Sequence, residues 1–299
     1  MGLVLISAAA AAVGYVLTEI ALRFFAVTSL SVALLSNIAG GLSLLIPTLW
    51  RPDAWRGWSR GDWLRLVVAA LAMFALAFVL LYTAIDHIGS SKVSLLGRLE
   101  VIFVIFLAVV FLGEPWSRRL WVASFLALGG AALVNFDSTV WQLSVGLGEI
   151  LSVLAALVFA AGIVTLKPLL DRRDAHVVTG CGLLLGALFL CPFFSVETVS
   201  PAAGGLVPSG LGWLAWLVLA ARGILLGVSW ATYNTAMRHL GASRCSVLFL
   251  SLVLFTIAVQ IAVDAIAPEL GLRVPSNLAT AVPGGLLIAL AIVVVQREK

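Results

Sequence analysis

Long apolar stretches alternate with short polar breaks along the whole chain, and the breaks divide it into ten apolar segments. Each segment is close to the length of about 20 apolar residues that a helix needs to cross the hydrocarbon core of a bilayer. The predicted spans are residues 3–26, 30–50, 63–85, 93–113, 120–136, 143–166, 177–194, 213–237, 245–264 and 278–295. The pattern therefore predicts an all-α membrane protein with ten transmembrane helices.

The sequence also repeats itself at an offset of 152 positions, which is about half of the 299 residues. Residues 84–105 match residues 236–257 at nine of 22 positions, including a His and a Gly at each start. Because five spans are an odd number, the second copy would cross the membrane in the opposite sense to the first. We therefore predict two inverted five-helix repeats, residues 1–137 and 138–299, with a substrate site where the repeats meet, as in many transporters.

Basic residues favour one side of this predicted bundle. The breaks after the second, fourth, sixth and eighth spans and the C-terminus carry Arg51, Arg56, Arg60, Arg118, Arg119, Arg172, Arg173, Arg238, Arg244, Arg297 and Lys299. The opposite breaks carry Lys92 and Arg273, and Arg23 lies near the end of the first span. An excess of Lys and Arg is typical of cytoplasmic loops, so both termini are predicted to lie in the cytoplasm.

The overall composition excludes a soluble fold. Hydrophobic residues make up 62% of the chain and charged residues 11%, with a mean hydropathy of +1.15, whereas soluble domains have about 45–50% and about 25%. We expect a multi-pass protein of a bacterial inner (plasma) membrane. Its net charge of +4 is explained by the cytoplasmic loops, and no nucleic-acid partner is predicted.

Five ionisable residues stand out inside the predicted spans, where a charge costs about 2.5–3.5 kcal/mol at the helix centre. They are Glu19, Arg98, Glu100, Glu149 and Arg222. With a rise of about 1.5 Å per residue, all five are expected roughly 8–13 Å below the outer ends of their helices. The pattern predicts a polar chamber in the outer half of the membrane, with Asn37 at a similar depth. Buried ion pairs that hold the bundle together are the alternative interpretation.

Three carboxylates and two guanidiniums nearly neutralise one another, which suits a zwitterionic substrate. Arg can bind a carboxylate through two hydrogen bonds, and a Glu can receive an ammonium group. A remaining acid can carry a proton, as intramembrane carboxyl groups do in pumps and transporters, and Glu100 and Glu149 are the candidates. In a regular helix Arg98 and Glu100 would point about 200° apart, so one of them is predicted to contact a neighbouring helix.

Aromatic residues follow the charged level toward the inside. Trp230 and Tyr233 recur at helical spacing with Arg222 on the eighth span, and Tyr15 lies one turn inward of Glu19. Such a wall would contact an apolar side chain or stack on a quaternary ammonium group. Aromatic packing between helices is the alternative.

The segment IGSSKVSLLGRLEVIFVIFLAVVFLGEPWSRRLWVASFLALGGAALV, residues 88–134, resembles the EamA unit of the drug/metabolite transporter superfamily. A Ser-rich helix start, Leu112-Gly113-Glu114 at the end of the fourth span and a Gly-rich fifth span carry the resemblance. The second half resembles the unit more weakly, and Asp264-Ala265-Ile266 stands where the LGE would repeat. The resemblance implies a ten-span carrier without a cofactor, and many such carriers export amino acids and other small metabolites.

The combined interpretation is a secondary active transporter, an exporter of an amino-acid-like zwitterion, that works by alternating access with proton coupling or exchange. An organic cation or amine is the alternative substrate, and an intramembrane lipid-modifying enzyme is the alternative outside transport. The sequence contains neither HExxH nor GxSxG, so no enzyme is predicted. The expected partners are a small-molecule substrate, the lipid bilayer and protons, with no cofactor or metal, in a monomer or homodimer.

Overall fold

The computed structural model is helical throughout and contains no strand in the ranges it describes, which are residues 1–25, 27–88, 96–134, 146–197, 212–268 and 278–296. The helices are α1 (Gly2–Phe24), α2 (Ser29–Thr48), α3 (Arg60–Ala70), α4 (Ala77–Ile88), α5 (Glu100–Leu112), α6 (Arg118–Val134), α7 (Leu147–Leu170), α8 (Ala175–Glu197), α9 (Trp213–Leu240), α10 (Ala242–Phe249), α11 (Leu252–Ile266) and α12 (Leu278–Gln296). A π-helical segment, Leu71–Leu76, joins α3 to α4 as one continuous helix.

Seven of the described helical stretches are long and apolar enough to cross a membrane. They are Gly2–Leu22, Leu30–Thr48, Arg60–Leu81, Leu147–Leu170, Ala175–Pro192, Trp213–Leu240 and Ala242–Ile266. Glu100–Leu112 and Val282–Val295 are shorter apolar helices. The predicted all-α membrane class is confirmed, whereas the number of ten spans, their inverted arrangement and the topology stay predictions.

Local sequence signals fix several helix ends. Ser59 and Asp62 form a capping box at the start of α3, in which the Asp62 N–H donates to Ser59 Oγ at 3.1 Å and the Ser59 N–H donates to Asp62 Oδ2 at 3.0 Å. Thr28 Oγ1 accepts from the Ser31 N–H at 3.1 Å and caps α2. Gly113 ends α5 in the left-handed conformation, with φ of 66°, which glycine adopts without a steric penalty.

Helix α2 packs closely against α8 and α9 because its glycines admit both neighbours at very short distance. A Cβ atom on Gly40 would lie 2.6 Å from the Gly223 carbonyl oxygen of α9, and one on Gly41 would lie 3.0 Å from the Gly180 carbonyl oxygen of α8. Backbones approach this closely only where side chains are absent or small. The contact between α2 and α9 therefore depends on glycine.

The two halves of the chain pack into each other. Helix α1 packs against α9 and α11, and α7 packs against α3, α4 and α5. Helix α6 lies along α12, and α2 lies along α8. Most large helix contacts thus join residues of the first half to residues of the second.

An ion pair ties the two halves together at one face. Arg173, which precedes α8, contacts Asp62 of α3 at 2.6 Å from Nη2 to Oδ2. Its guanidinium also donates to the Arg56 and Gly57 carbonyl oxygens and lies over the Trp58 ring at 5.8 Å. The loop between α2 and α3 is thereby fixed to the start of α8.

Candidate functional site

A helix interruption lies at two of the predicted site residues, Arg98 and Glu100. Residues 96–97 are helical, Arg98 and Leu99 form a turn, and α5 begins at Glu100. The Leu99 N–H donates to the Leu96 carbonyl oxygen at 3.0 Å, and the Val101 N–H donates to the Arg98 carbonyl oxygen at 3.2 Å. These bonds join residues three apart, which is the tighter pattern of a 3₁₀ turn. The predicted regular helix over residues 93–113 is therefore wrong at this point.

A second interruption occurs at Leu250 and Ser251, between α10 and α11. The Ser251 N–H donates to the Leu248 carbonyl oxygen at 3.1 Å, and the Val253 N–H donates to the Leu250 carbonyl oxygen at 3.1 Å. Adding 152 to each residue number of the first interruption gives the second. The two turns, with their hydrogen bonds, thus lie at equivalent positions of the sequence repeat.

The interruption also changes the geometry of Arg98 and Glu100. Both side chains are partly buried, and the Arg98 guanidinium interacts electrostatically with the Glu100 carboxyl group. The predicted angle of about 200° assumed a regular α-helix, whereas the tighter 3₁₀ turn has about three residues per turn. The relative direction of the two side chains stays a prediction. Both residues lie at the first interruption, whereas the second interruption consists of Leu250 and Ser251.

The predicted aromatic residues Trp230 and Tyr233 lie in one cluster. The Trp230 ring contacts the rings of Phe74, Phe159 and Tyr233, with centroids 5.5–5.6 Å apart. Tyr233 also contacts the Phe249 ring at 5.2 Å. Glu100 lies within electrostatic range of Tyr233. The cluster thus connects the π-helical segment, α7, α9 and α10 beside the charged interruption.

Arg222 lies at the contact between α1 and α9, next to the residue that precedes Glu19. Arg222 Nε donates to Thr18 Oγ1 at 2.9 Å, and Thr18 immediately precedes Glu19. A Cβ atom on Gly14 would lie 3.8 Å from the Arg222 Cδ atom, so glycine leaves room for the arginine chain. Tyr15, by contrast, is 50% exposed on α1 and lies outside the buried cluster around Trp230.

Asn37 is buried on α2 and faces the π-helical segment. Its Nδ2 atom donates to the Phe74 carbonyl oxygen at 3.4 Å. The wider turn of a π-helix changes the backbone hydrogen bonding, and such segments occur frequently at functional sites. Among the described residues, Asn37 Oδ1 and Ser36 Oγ have no hydrogen-bond partner. Two polar oxygens of α2 are thus available to a ligand or to water.

Glu149 lies in the first turn of α7 rather than about 9 Å inside a span. The predicted span started at residue 143, whereas α7 starts at Leu147. The Glu149 Oε2 atom accepts from the Gly146 N–H at 3.0 Å and so satisfies a backbone group that has no partner within the helix. The predicted position of Glu149 within its helix was wrong, because the helix starts four residues later than predicted. One role of the Glu149 carboxylate is to cap α7.

We expect Glu149→Ala to lower the free energy of unfolding by about 1 kcal/mol, the usual effect of losing a helix cap. Glu149→Gln should lose less, because its amide oxygen can still accept from the Gly146 N–H. Thermal unfolding of the purified variants in detergent measures both effects. Equal stability of the Ala variant and the unchanged protein would contradict the capping role.

Two further polar residues are buried in addition to the predicted site residues. Asn234 of α9 donates from Nδ2 to Thr179 Oγ1 at 2.8 Å, and its Oδ1 atom has no partner in the described part of the chain. Ser251 Oγ, at the second interruption, is likewise buried without a described partner. The sequence repeat places Ser251 at the position equivalent to Leu99, so the location of the first interruption would have pointed to Ser251.

No group of three His, Cys, Asp or Glu residues within the described ranges could hold a metal ion. The candidate residues are charged, polar and aromatic groups. Trp230 and Tyr233 are in ring contact, Glu100 is within electrostatic range of Arg98 and Tyr233, and Arg222 lies at the contact between α9 and α1.

Part of the chain is similar to two curated bacterial proteins. It is 28% identical over 153 residues to a protein of Synechocystis sp. named as an uncharacterized transporter, covering 49% of this chain and 44% of that protein. It is 29% identical over 147 residues to a "Probable terminal-alkyne amino-acid exporter" of Streptantibioticus cattleyicolor, covering 46% and 49%. Each match thus spans about half the length of the relative.

The fold is shared more completely with a protein of known crystal structure. The two superpose with a TM-score of 0.78 over 98% of this chain and 96% of the other, at 15% sequence identity. Similarity at this level of identity shows a common fold.

The sequence model of one protein family matches nearly the whole chain. The model describes the EamA-like transporter family and matches residues 1–136 and 146–264. The match confirms the resemblance found in residues 88–134. Together with the names of the relatives, it points to a transporter rather than a lipid-modifying enzyme. This integral bacterial membrane protein, with several apolar spans, belongs to the EamA-like transporter family.

Proposed function

We propose that the protein is a secondary active exporter of small zwitterionic, amino-acid-like metabolites. Ten spans form two inverted five-helix repeats, residues 1–137 and 138–299, with both termini in the cytoplasm. The substrate binds between the repeats and is released by alternating access, driven by a proton gradient.

The packing of the helices supports the inverted repeat. The contact of α1 with α9 has its repeat equivalent in the contact of α7 with the α3–α4 helix. The contact of α5 with α7 has its equivalent in the contact of α11 with α1. A two-fold axis through the bundle would generate both pairs. The residue after α5, Gly113, is followed by Glu114, which contacts the first residue of α10. The end of the fourth span thus contacts the start of the ninth span, its repeat equivalent, as expected for antiparallel helices.

The main support for the proposal is that the two helix interruptions lie at equivalent positions of the repeats. Interrupted helices in corresponding positions of two repeats form the substrate and ion sites of many secondary transporters. At both turns the backbone bonds join residues three apart instead of the four-residue spacing of a regular α-helix. Here the first interruption carries Arg98 and Glu100, and the second has Leu250 and Leu252 at the equivalent positions. The charged groups thus lie on one side of the proposed axis.

The side chains near the interruption suit a zwitterion with an apolar side chain. We assign Arg98 and Arg222 to the substrate carboxylate, because a guanidinium can bind it through two hydrogen bonds. Glu19, beside the Arg222 contact on α1, receives the ammonium group. Trp230 contacts the apolar side chain. The relative named as an amino-acid exporter supports this substrate class.

Glu100 is the residue that we assign to the proton. Glu149 is also an acid, but its carboxylate caps the start of α7. Glu100 is within electrostatic range of Arg98 and Tyr233, so proton binding there would change the charge of the site. Proton and substrate movement can thereby be coupled through one group.

An organic amine is the second candidate substrate, favoured by Glu100 close to the aromatic cluster around Trp230. A carboxylate beside aromatic rings can hold a cation through charge and cation–π attraction. In that case the arginines would stabilise the protein rather than bind substrate.

Purified protein in liposomes tests the proposal. Liposomes loaded with one amino acid at a time should show saturable counterflow of the labelled compound, and a pH gradient should drive its net movement. Matched amines without a carboxylate serve as the comparison. Counterflow of amines alone would favour the second candidate, and product formation from lipid without flux would contradict transport.

A further inference from the structure

Helix α10 fills the space between the two halves at the face that carries the Asp62–Arg173 pair. Six of its eight residues are buried: Ala242, Ser243, Cys245, Ser246, Val247 and Leu248. It contacts α1, α5, α6, α7, α9 and α12. A short segment with neighbours in both repeats is well placed to close a passage between them.

Both ends of α10 are set apart from the helices around it. Gly241 separates α10 from α9 and has a φ of 85°, a backbone conformation that residues other than glycine rarely adopt. The 3₁₀ turn at Leu250 and Ser251 marks the boundary with α11 within the continuous stretch Ala242–Ile266. These two points are where a change in the angle of α10 would require the smallest rearrangement.

Glu114 holds the start of α10 from the other half of the chain. Its Oε1 atom accepts from the Ala242 N–H at 2.6 Å, and its Oε2 atom accepts from the Ser243 N–H at 3.1 Å. Both N–H groups belong to the first turn of the helix, where backbone donors lack partners within the helix and a negative charge is favoured. The carboxylate thus fastens α10 with two charge-assisted hydrogen bonds.

Two buried hydroxyl groups at α10 and at the turn that follows it have no hydrogen-bond partner in the described residues. Ser243 Oγ and the neighbouring Ser251 Oγ are buried without a hydrogen-bond partner among the described residues. Buried hydroxyl groups without partners destabilise the packed arrangement, and water could supply the partners in an open passage. Only Ser246, of these three serines, bonds within the core, to the Tyr233 hydroxyl at 2.9 Å.

From these contacts we propose that α10 is the gate at this face and that Glu114 is the positioning residue that keeps it closed. The proposal rests on the proposed alternating-access function. The repeat equivalent of Glu114 is Ile266, an apolar residue that is exposed in this structure. The Glu114 carboxylate is thus not repeated at the equivalent position of the second half, and we place the latch at one face of the protein.

The three native cysteines can be labelled to follow this gate, so no cysteine has to be introduced. Cys245 lies in α10, is 0% exposed and is within electrostatic range of Glu114. Cys181 is buried in α8, at 8% exposure, and Cys191 is exposed on the same helix. Opening of α10 should expose Cys245 alone, whereas unfolding should expose Cys181 as well.

The experiment measures the rate of maleimide labelling at each cysteine by peptide mass spectrometry, in the full-length protein in liposomes. Glu114→Ala should raise the Cys245 rate at least about ten-fold, because two bonds to a charged acceptor are lost, and should leave Cys181 and Cys191 unchanged. Glu114→Gln keeps one acceptor oxygen and should give an intermediate rate. Asp53→Asn, which removes an 84% exposed carboxylate from the Asp53–Arg56 pair, should change none of them.

An unchanged Cys245 rate in Glu114→Ala, or equal increases at Cys245 and Cys181, would overturn the latch. So would an increase in Asp53→Asn, because it would indicate a general effect of charge. The labelling needs no substrate, so its outcome is independent of whether any metabolite is transported in the flux assay.

Discussion

Replacing Glu100 with Gln should abolish export driven by a pH gradient and leave substrate exchange intact. Gln retains the size and hydrogen-bonding groups of the side chain but cannot gain or lose a proton. The residue begins α5 at the charged interruption and interacts with Arg98, so its protonation changes the charge seen by the substrate. Net flux in liposomes with a pH gradient should fall to the level of empty liposomes.

Two comparisons make the Glu100 result specific. Glu149→Gln removes a carboxylate that caps α7 and should keep gradient-driven export. Counterflow, which needs no net proton movement, should continue in Glu100→Gln. Loss of counterflow together with driven export would show that Glu100 binds substrate rather than the proton, and unchanged driven export would contradict its coupling role.

The second large effect is expected for Gly40→Leu, which should prevent stable packing of α2 against α9. Even the first added carbon would lie 2.6 Å from the Gly223 carbonyl oxygen and 3.2 Å from the Gly227 nitrogen. These neighbours are backbone atoms and cannot rotate away. Overpacking usually lowers the free energy of unfolding by about 1–3 kcal/mol. A leucine side chain at position 40 would press against backbone atoms, so its cost should exceed that range. We expect loss of monodisperse protein or a much lower unfolding temperature.

Gly129→Leu is the matched control for this substitution. Gly129 lies inside α6, and a Cβ atom there would meet no atom within 4 Å. Leucine favours the helix over glycine by up to about 1 kcal/mol, so the control should be as stable as the unchanged protein or slightly more so. A similar loss of stability in both variants would mean that leucine at helix glycines is harmful in general and that the α2–α9 contact is not special.

The helices themselves could be predicted from the apolar pattern because each must satisfy its backbone within the bilayer. Helix α9 starts at Trp213 and α12 at Leu278, which are the predicted first residues of their spans. Trp213 itself marks the start of α9, and Pro275, Ser276 and Asn277 directly precede the start of α12 in the sequence. Where a helix end is defined by a polar break, the sequence locates it within a few residues.

The interruptions could not be predicted, because the residues that form them fit a continuous helix. Leu250 and Ser251 lie in an apolar run without Gly or Pro, and the π-helical segment Leu71–Leu76 contains only helix-compatible residues. Packing against other helices decides between a regular and an interrupted backbone at such positions. The angle between Arg98 and Glu100 stays a prediction for this reason.

Glu149 shows a different limit. Its apolar run extends before α7, so the run alone placed the helix start too early and the carboxylate too deep. The Glu three residues after Gly146 is a capping signal, and weighing it against the run would have placed the start correctly. The Glu114 contact with α10, by contrast, joins residues 128 positions apart and depends on the tertiary fold.

The inverted arrangement of the two repeats is tested most directly by the two repeat-equivalent histidines, His87 and His239, both of which are exposed. Each is changed to Cys in a background in which Cys181, Cys191 and Cys245 are replaced by Ser, and intact cells are treated with a membrane-impermeant maleimide. The inverted repeat predicts labelling at position 87 from outside, and labelling at position 239 only after the cells are opened. Labelling of both positions from the same side would contradict it.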